Sequence, residues 1–202
     1  MSRTHGRIRW RLFAVVMVPS LVASAALFVA LAQGALAASF LVSNQQFKVT
    51  AERTEGIGLI QYSAVDRRYD GKIVPVTVTG LKQSKTTGYC QSVVARDIPL
   101  IGTFTVKVTA KQVTARDTYT DTVQSDSGTI TLKNTNNGIA AGTSRKGPGI
   151  REGDKTDPAR AAQEADSVLV TNSKQIVLAT SARITRTSGS SLRFYKGVHE
   201  CF

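Results

Sequence analysis

The chain begins with an uncharged apolar run and then changes to an alternating pattern. Residues 12–32 carry no charge; four arginines precede them, and Ala35-Leu36-Ala37 follows. About 20 apolar residues suffice to cross a bilayer, whereas a cleavable signal peptide has an apolar run of about 7–15. We therefore predict that residues 1–38 form an export signal or membrane anchor, either retained as one transmembrane helix or cleaved after Ala37. The arginines stay in the cytoplasm by the positive-inside rule, so residues 39–202 form an extracytoplasmic domain.

From residue 40 onward, apolar and polar residues alternate with a period of two, which is typical of β-strands. The clearest predicted strands are 58–63, 73–79, 103–110 and 128–133. Pro75 predicts an edge or a bulge for its strand, because proline cannot donate to a β-ladder. Turn-forming residues separate the strands: Asp70-Gly71, Thr79-Gly80, Thr87-Gly88, Ile101-Gly102 and 134–138. This regular spacing of turns predicts an all-β domain.

Near the C-terminus the apolar strand centres fall eight residues apart, at Val168, Ile176, Ile184 and Leu192. This spacing suits a meander of short strands or the rungs of a β-solenoid. A sandwich, a curved antiparallel sheet and a small β-solenoid are all compatible with the pattern.

One glycine-rich, charged stretch, 141–156, interrupts the alternation. It is the longest irregular segment after the export region, and loops of this length are usually functional or disordered. Asp157 and Pro158 follow it, as a capping residue and a first helical residue. They predict a short helix of about two turns over 159–165.

The extracytoplasmic domain is basic. Residues 39–202 contain 22 lysines and arginines against 14 acidic residues, a net charge of +8. An exported basic domain meets anionic lipid headgroups and envelope polymers. The cations are scattered, and the few aromatic residues do not interleave with them, which argues against a nucleic-acid partner.

Two cysteines, Cys90 and Cys201, lie in the predicted extracytoplasmic domain. In an oxidising compartment an even number of cysteines indicates a disulfide. The bond would pin the C-terminus to the middle of the chain and contribute about 4–5 kcal/mol in the chain-entropy model. A metal site that adds His199 lacks a fourth ligand and the usual close cysteine spacing, so neither a metal nor another cofactor is expected.

The sequence offers little for catalysis. His199 is the only histidine outside the export segment, and no Gly-x-Ser-x-Gly elbow exists. A triad of His199, a distant serine and Asp97, Asp117 or Asp166 would be the route to a hydrolase, since triads assemble in space. The serine cluster at residues 188–191 is predicted to form a turn, and the acids at 117, 121 and 126 are expected to face solvent.

The loop 144–149 is the best candidate for anion binding, because cations flank a flexible backbone whose N–H groups can face a phosphate. Arg145, Lys146 and the nearby Arg151 are the predicted contacts for an anion or a lipid headgroup. The loop lacks the Gly-Lys-Ser/Thr ending of phosphate-binding loops, and a solvated loop is the alternative.

Six stretches distributed along the chain carry a family resemblance: 32–40, 56–62, 90–93, 146–150, 163–166 and Glu200-Cys201-Phe202. Together they resemble an uncharacterised family of exported or membrane-anchored actinobacterial proteins, and the resemblance covers essentially the whole chain. Members often carry the label "cholesterol esterase", which no motif of this sequence supports. The resemblance implies an envelope location and the pairing of Cys90 with Cys201.

The function expected from the sequence is a non-catalytic binding or structural role in the cell envelope. Lipid, an anionic envelope polymer and an envelope protein are the expected partners, beside the membrane itself through the N-terminal helix. The protein would lie at the cell membrane with its domain outside, or be secreted if cleaved. The alternative is a lipid-ester hydrolase, as the family label suggests.

Overall fold

The computed structural model describes residues 46–67, 71–98 and 102–202, together with residues 10, 13, 17, 19 and 20. The predicted export signal or anchor at 1–38 lies almost entirely outside the described residues, so it stays a prediction. Within the described ranges, no helix is long and apolar enough to cross a bilayer. Residues 38–202 form one compact unit, which contains every strand described below.

The described part of this unit consists of seven β-strands and one short 3-10 turn. The strands are β1 Phe47–Arg67, β2 Ile73–Ile98, β3 Gly102–Asp126, β4 Thr129–Lys133, β5 Asn136–Ala140, β6 Ala161–Ser188 and β7 Ser191–Lys196. The 3-10 turn is Ala141–Thr143. The predicted all-β class is confirmed.

The four long strands close into a small barrel. β1 pairs with β2, β2 with β3, β3 with β6, and β6 with β1, all antiparallel. Residues 162–177 of β6 pair with β1 and residues 174–188 pair with β3, so the barrel closes on the two halves of one strand. β4 and β5 pair with β6, and β7 pairs with β3. Of the three predicted architectures, the curved antiparallel sheet is closest to the observed fold. The observed sheet differs because β3 also pairs with β6, which closes it into a barrel.

Two rows of interrupted pairing cross the barrel and let its long strands bend. Gly58 and Asp117 have positive φ and lie on one row, at the level of Lys82 and Arg183. A second row lies six residues away from the first along the strands; on it Gly88 and Asn172 have positive φ, as does Gly189 directly after the end of β6. The ladders skip the residue pairs on both rows. Glycine and asparagine tolerate this left-handed conformation, and such irregularities bend a strand and re-aim its side chains.

The bend at Gly58 changes which side chains of β1 are buried. Ile57 and Leu59 are two residues apart and would share one face of a regular strand. Instead, Ile57 is 57% exposed and Leu59 is 4% exposed. The bend therefore presents Ile57 to solvent while Leu59 stays in the core.

Several sequence predictions of element boundaries were wrong because the strands are longer than the alternating runs. The predicted turns at Gly80 and Gly88 lie inside β2, and Val168, Ile176 and Ile184 all lie inside β6. The predicted helix at 159–165 is a single turn that leads into β6. The turn between residues 188 and 191 is confirmed.

Pro75 lies in a part of β2 that pairs with only one neighbouring strand. It pairs with Val65 of β1, whereas the ladder to β3 begins at Thr77. The missing N–H of proline therefore interrupts no bond to β3, which agrees with the predicted edge position.

The irregular stretch at 141–158, which we name the strap, packs against the sheet. Its Ala141 and Ile150 join the main hydrophobic cluster with Ile60, Tyr62 and Val78. Hydrogen bonds from Val65 to Lys155 and from Thr156 to Ser63 hold its C-terminal part. The segment is therefore an ordered cover for the core.

Candidate functional site

A groove of about 490 Å³ crosses β1, β2, β3 and the second half of β6. This volume lies in the range of small-molecule sites. The groove is lined by Glu55, Ile57, Gln83, Ser84, Lys85, Thr114, Ala115, Arg116, Ile184 and Arg186. All of these residues lie between the two rows of bends, so the irregular backbone frames the groove on both sides.

The strand register brings the groove side chains together. Lys85 pairs with Thr114, and Thr114 pairs with Arg186. On the next rung, Arg116 pairs with Gln83 on one side and Ile184 on the other. Directly paired residues of an antiparallel ladder have Cβ atoms about 4.5–5.5 Å apart. Three cations from three strands therefore converge in one short stretch of the sheet.

The groove combines positive charge with exposed apolar surface. Lys85, Arg116 and Arg186 are exposed, and none has a carboxylate partner among the described residues. The groove's one carboxylate, Glu55, already accepts a hydrogen bond from Arg53 Nε at 2.8 Å. Ile57 and Ile184 are 57% and 39% exposed. The arrangement can hold an anion beside an apolar group.

The predicted anion loop binds a carboxylate of this chain. The backbone N–H groups of Arg145 and Lys146 donate to Oε2 of the buried Glu164, at 2.8 and 3.0 Å. Ser144 donates to the same oxygen and Asn136 to the other. The backbone of the loop therefore does face an anion, and that anion is internal.

The side chains of the three predicted contact residues have different surroundings. Lys146 lies 3.3 Å from Asp166, and Arg151 pairs with two aspartates. The Arg145 guanidinium is exposed and has no partner among the described residues. Contact with an external anion stays a prediction, and Arg145 is the residue that retains a free cation for it.

We expect Glu164→Gln to destabilise the domain by about 2–3 kcal/mol, because the three strap donors on Oε2 would lose a charged acceptor and the new NH2 group would face the Asn136 amide. The Lys146 N–H above all, with the Asn136, Arg145 and Ser144 donors, lowers the pKa of Glu164 from 4.5 to about 2. A lowered carboxyl pKa stabilises the fold above the unfolded pKa, and this contribution is lost as pH falls from about 4.5 to 2.

Chemical denaturation between pH 2 and 7 measures this effect. The variant should show a shallower acid-side loss of stability than the parent. The matched control is Glu152→Gln, which changes an exposed carboxylate of the same strap. Equal acid-side slopes for the parent and Glu164→Gln would contradict the assignment.

Arg151 lies at the centre of a second polar cluster under the strap. Its Nη2 lies 2.7 Å from Asp121 Oδ2 and 2.6 Å from Asp154 Oδ1. Tyr62 donates to Asp154 and accepts from the Arg151 backbone N–H. Burial raises the pKa of Asp121 to about 6, against the opposing effect of Arg151. The expectation that this aspartate faces solvent was wrong, since it is 1% exposed.

The C-terminal tail is fastened to the edge of the barrel. Cys201 forms the predicted disulfide with Cys90, which confirms the pairing. The Cys201 N–H donates to the buried Ser92 hydroxyl, and Lys48 pairs with Glu200 at 3.0 Å. A disulfide is typical of an oxidising, extracytoplasmic compartment.

His199 also belongs to this tail. Its imidazole Nε2 lies 3.1 Å from the Lys196 carbonyl, and its ring centroid is 5.2 Å from that of Tyr195. Its backbone N–H donates to Thr105. The side chain is exposed, and these contacts account for its position at the sheet edge.

Comparison with known proteins gives one family. The model of a family of unknown function, DUF6230, matches residues 43–202. The chain belongs to this family. The DUF6230 match includes all seven strands, the strap, the groove and both cysteines, and it agrees with the expectation of an uncharacterised family. No curated protein matches the chain, and no solved structure does.

The groove cations were missed by reasoning from the sequence. Lys85, Arg116 and Arg186 lie far apart in the chain and belong to no short motif. A weak signal was present in Gly88, Asn172 and Gly189, residue types that favour positive φ. Only the strand register of the DUF6230 domain shows that these bends form one row. It also shows that the cations lie between this row and the row at Gly58 and Asp117.

Proposed function

We propose that this protein is a non-catalytic binding protein of the cell envelope, exported or anchored by residues 1–38. Its ligand is an amphipathic anion, such as a lipid or lipid-like molecule, held in the groove. The observation that carries the proposal is the convergence of three cations, which have no carboxylate partner in the part of the chain that the structure describes, around exposed isoleucines.

The chemistry of the groove supports this ligand class. A phosphate or carboxylate group would accept charge-assisted hydrogen bonds from Arg116, Arg186 and Lys85, and arginine suits the bidentate geometry of such groups. Ile57 and Ile184 would cover part of an acyl chain, at about 25 cal/mol per Å² of apolar surface removed from water. A small inorganic anion would use the cations and leave the isoleucines exposed.

The disulfide and the basic charge of the domain support the envelope location. The compartment outside the cytoplasm preserves disulfides and presents anionic lipids and polymers. The predicted headgroup contact at Arg145 lies on the strap, and Lys82, next to the groove residue Gln83, donates to the Arg145 carbonyl.

The test is calorimetric titration of residues 39–202 with dodecyl phosphate below its critical micelle concentration. We expect saturable binding, and a loss of affinity of about tenfold or more in Arg116→Gln/Arg186→Gln, because each removed charged hydrogen bond contributes about 1.5–3 kcal/mol. Lys133→Gln, which removes an exposed cation of β4, should leave the affinity unchanged.

Two further titrations separate the parts of the site. Inorganic phosphate tests binding to the cations alone, and dodecanol tests binding to the exposed isoleucines alone. Both should bind more weakly than dodecyl phosphate. Equal affinity of the parent and the double variant for dodecyl phosphate would refute the groove as the binding site.

A further inference from the structure

An apolar sheet face lies at the β7 edge of the barrel, away from the groove. In an antiparallel ladder, paired residues point to the same side. Phe194 pairs with Val106, Leu192 with Val108, and Val106 in turn with Val93. The Phe104 and Phe194 rings lie on this side with centroids 6.5 Å apart. We name this surface the apolar face; its residues are Val93, Phe104, Val106, Val108, Leu192 and Phe194.

The apolar face is open in the described structure. Phe194 is 69% exposed and Leu192 is 58% exposed. Neither residue, and none of the other four, belongs to a hydrophobic cluster of the core. A contiguous apolar surface of this kind marks an interaction site more often than scattered single residues do.

The opposite side of the same strands is firmly covered. Thr105 is buried, donates to the Gly197 carbonyl and accepts from the His199 N–H. The disulfide and the Ser92 hydroxyl fix the last residues of the chain on this side. β7 is therefore held as a preformed strand, and its exposed face is a rigid surface.

Two observations identify the occupant. First, no acidic residue occurs in β7 or between it and His199, and the cations of this segment are Arg193 and Lys196. Lys196 pairs with Phe104 and so stands on the apolar face itself. This combination of aromatic and aliphatic side chains with neighbouring cations suits the interface of an anionic bilayer.

Second, the chain enters the barrel at this end. β1 begins at Phe47, and Lys48 pairs with Ser92, the neighbour of Val93. The predicted apolar run ends at Ala32, so at most about 50 Å of extended chain separates it from β1. A retained anchor would tether this end of the barrel to the bilayer through a linker of that length.

We propose that the apolar face docks on an anionic lipid bilayer, with Phe194 and Leu192 among the upper acyl chains and Lys196 at the headgroups. This contact is separate from the groove and does not depend on the groove's ligand. It would orient the barrel on the membrane and leave the tail side of β7 facing water.

Tryptophan scanning at two adjacent positions of opposite orientation tests this proposal. The full-length protein has one tryptophan, Trp10, which is replaced in the background Trp10→Phe. Phe194→Trp places a probe on the apolar face, and Tyr195→Trp places one on the tail side. Both proteins are reconstituted in vesicles of phosphatidylglycerol or phosphatidylcholine with brominated acyl chains.

We expect a blue shift and a loss of emission for the probe at 194 in phosphatidylglycerol vesicles, and neither change for the probe at 195. The loss at 194 should be smaller in phosphatidylcholine. Equal quenching at both positions, quenching at neither, or equal quenching in the two lipids would overturn the proposal. A concentration-dependent blue shift at 194 in detergent without vesicles would also overturn it, because the face would then bind a second copy of the chain.

Discussion

Replacing both cysteines with serine is expected to lower the free energy of unfolding of the β domain by about 4–5 kcal/mol. The disulfide joins residues separated by 111 positions, and cross-linking so long a loop removes a large part of the chain entropy of the unfolded state. The effect should be large relative to the total, because domains of this size are stable by only about 5–15 kcal/mol. Urea denaturation of residues 39–202, with and without reductant, measures it.

The double variant Cys90→Ser/Cys201→Ser is preferable to either single variant, which would leave a reactive thiol. Lys48→Ala is the matched control for the tail, since it removes a partly exposed ion pair with Glu200 and keeps the disulfide. That change should cost no more than about 1 kcal/mol. If reduction and the double substitution leave the denaturation midpoint unchanged, the hydrogen bonds and the ion pair of the tail hold it without the covalent bond.

The strands could be predicted from the sequence, but their ends could not. Alternation of Val, Thr and Ile identifies the pleated faces of β1, β2 and β3, because each has one side toward the core. Gly80 and Gly88 look like turn residues because glycine has no Cβ. The same absence of a Cβ lets both residues fit inside β2. A Cβ at residue 80 would lie 2.8 Å from Ile60, and Gly88 has a φ of 62° in a bend.

The helix expected at 159–165 does not form, because pairing within the sheet overrides the local capping signal. Asp157 accepts a hydrogen bond from the Ala159 N–H, as a cap would. The chain then becomes β6, because Ala162 and Ala165 are buried against the sheet and Glu164 is bound by the strap. Local capping signals could not reveal that these residues have sheet partners on both sides.

The disulfide was accessible to sequence reasoning because the chain has two cysteines, which allow one intramolecular pair. The ion pairs of the strap were not accessible. The predicted contact of Arg151 with an external anion stays a prediction, and the sequence did not reveal that its guanidinium pairs with Asp121 and Asp154 of its own chain. Opposite charges that lie 30 residues apart meet only after the strap folds over the barrel.

The second large effect is expected from Arg151, which stabilises two carboxylates in a poorly solvated position. Asp121 is 1% exposed, and the Asp154 side chain is 5% exposed. The Asp66 carboxyl lies beside Asp121, and its charge adds to the burial that raises the pKa of Asp121. Removing the one cation would leave buried negative charge without compensation, which typically costs about 3–5 kcal/mol.

The loss in Arg151→Met should therefore depend on pH. Burial already raises the pKa of Asp121 from 3.8 to about 6, and loss of the guanidinium should raise it further. An acid with a raised folded-state pKa favours the fold below its unfolded pKa, and that advantage is lost as pH rises through the folded pKa. The variant should lose about 3–5 kcal/mol at pH 8 and distinctly less at pH 5, where Asp121 takes up a proton.

Urea denaturation at the two pH values measures the difference. Arg145→Met changes an exposed guanidinium of the same strap and should have little effect at either pH. Adding Asp121→Asn to Arg151→Met removes the uncompensated charge, so it should recover part of the stability at pH 8 and little at pH 5. An equal loss at both pH values, with no recovery in the double variant, would mean that Arg151 acts through packing on Tyr119, which its guanidinium approaches to 5.7 Å from the ring centroid.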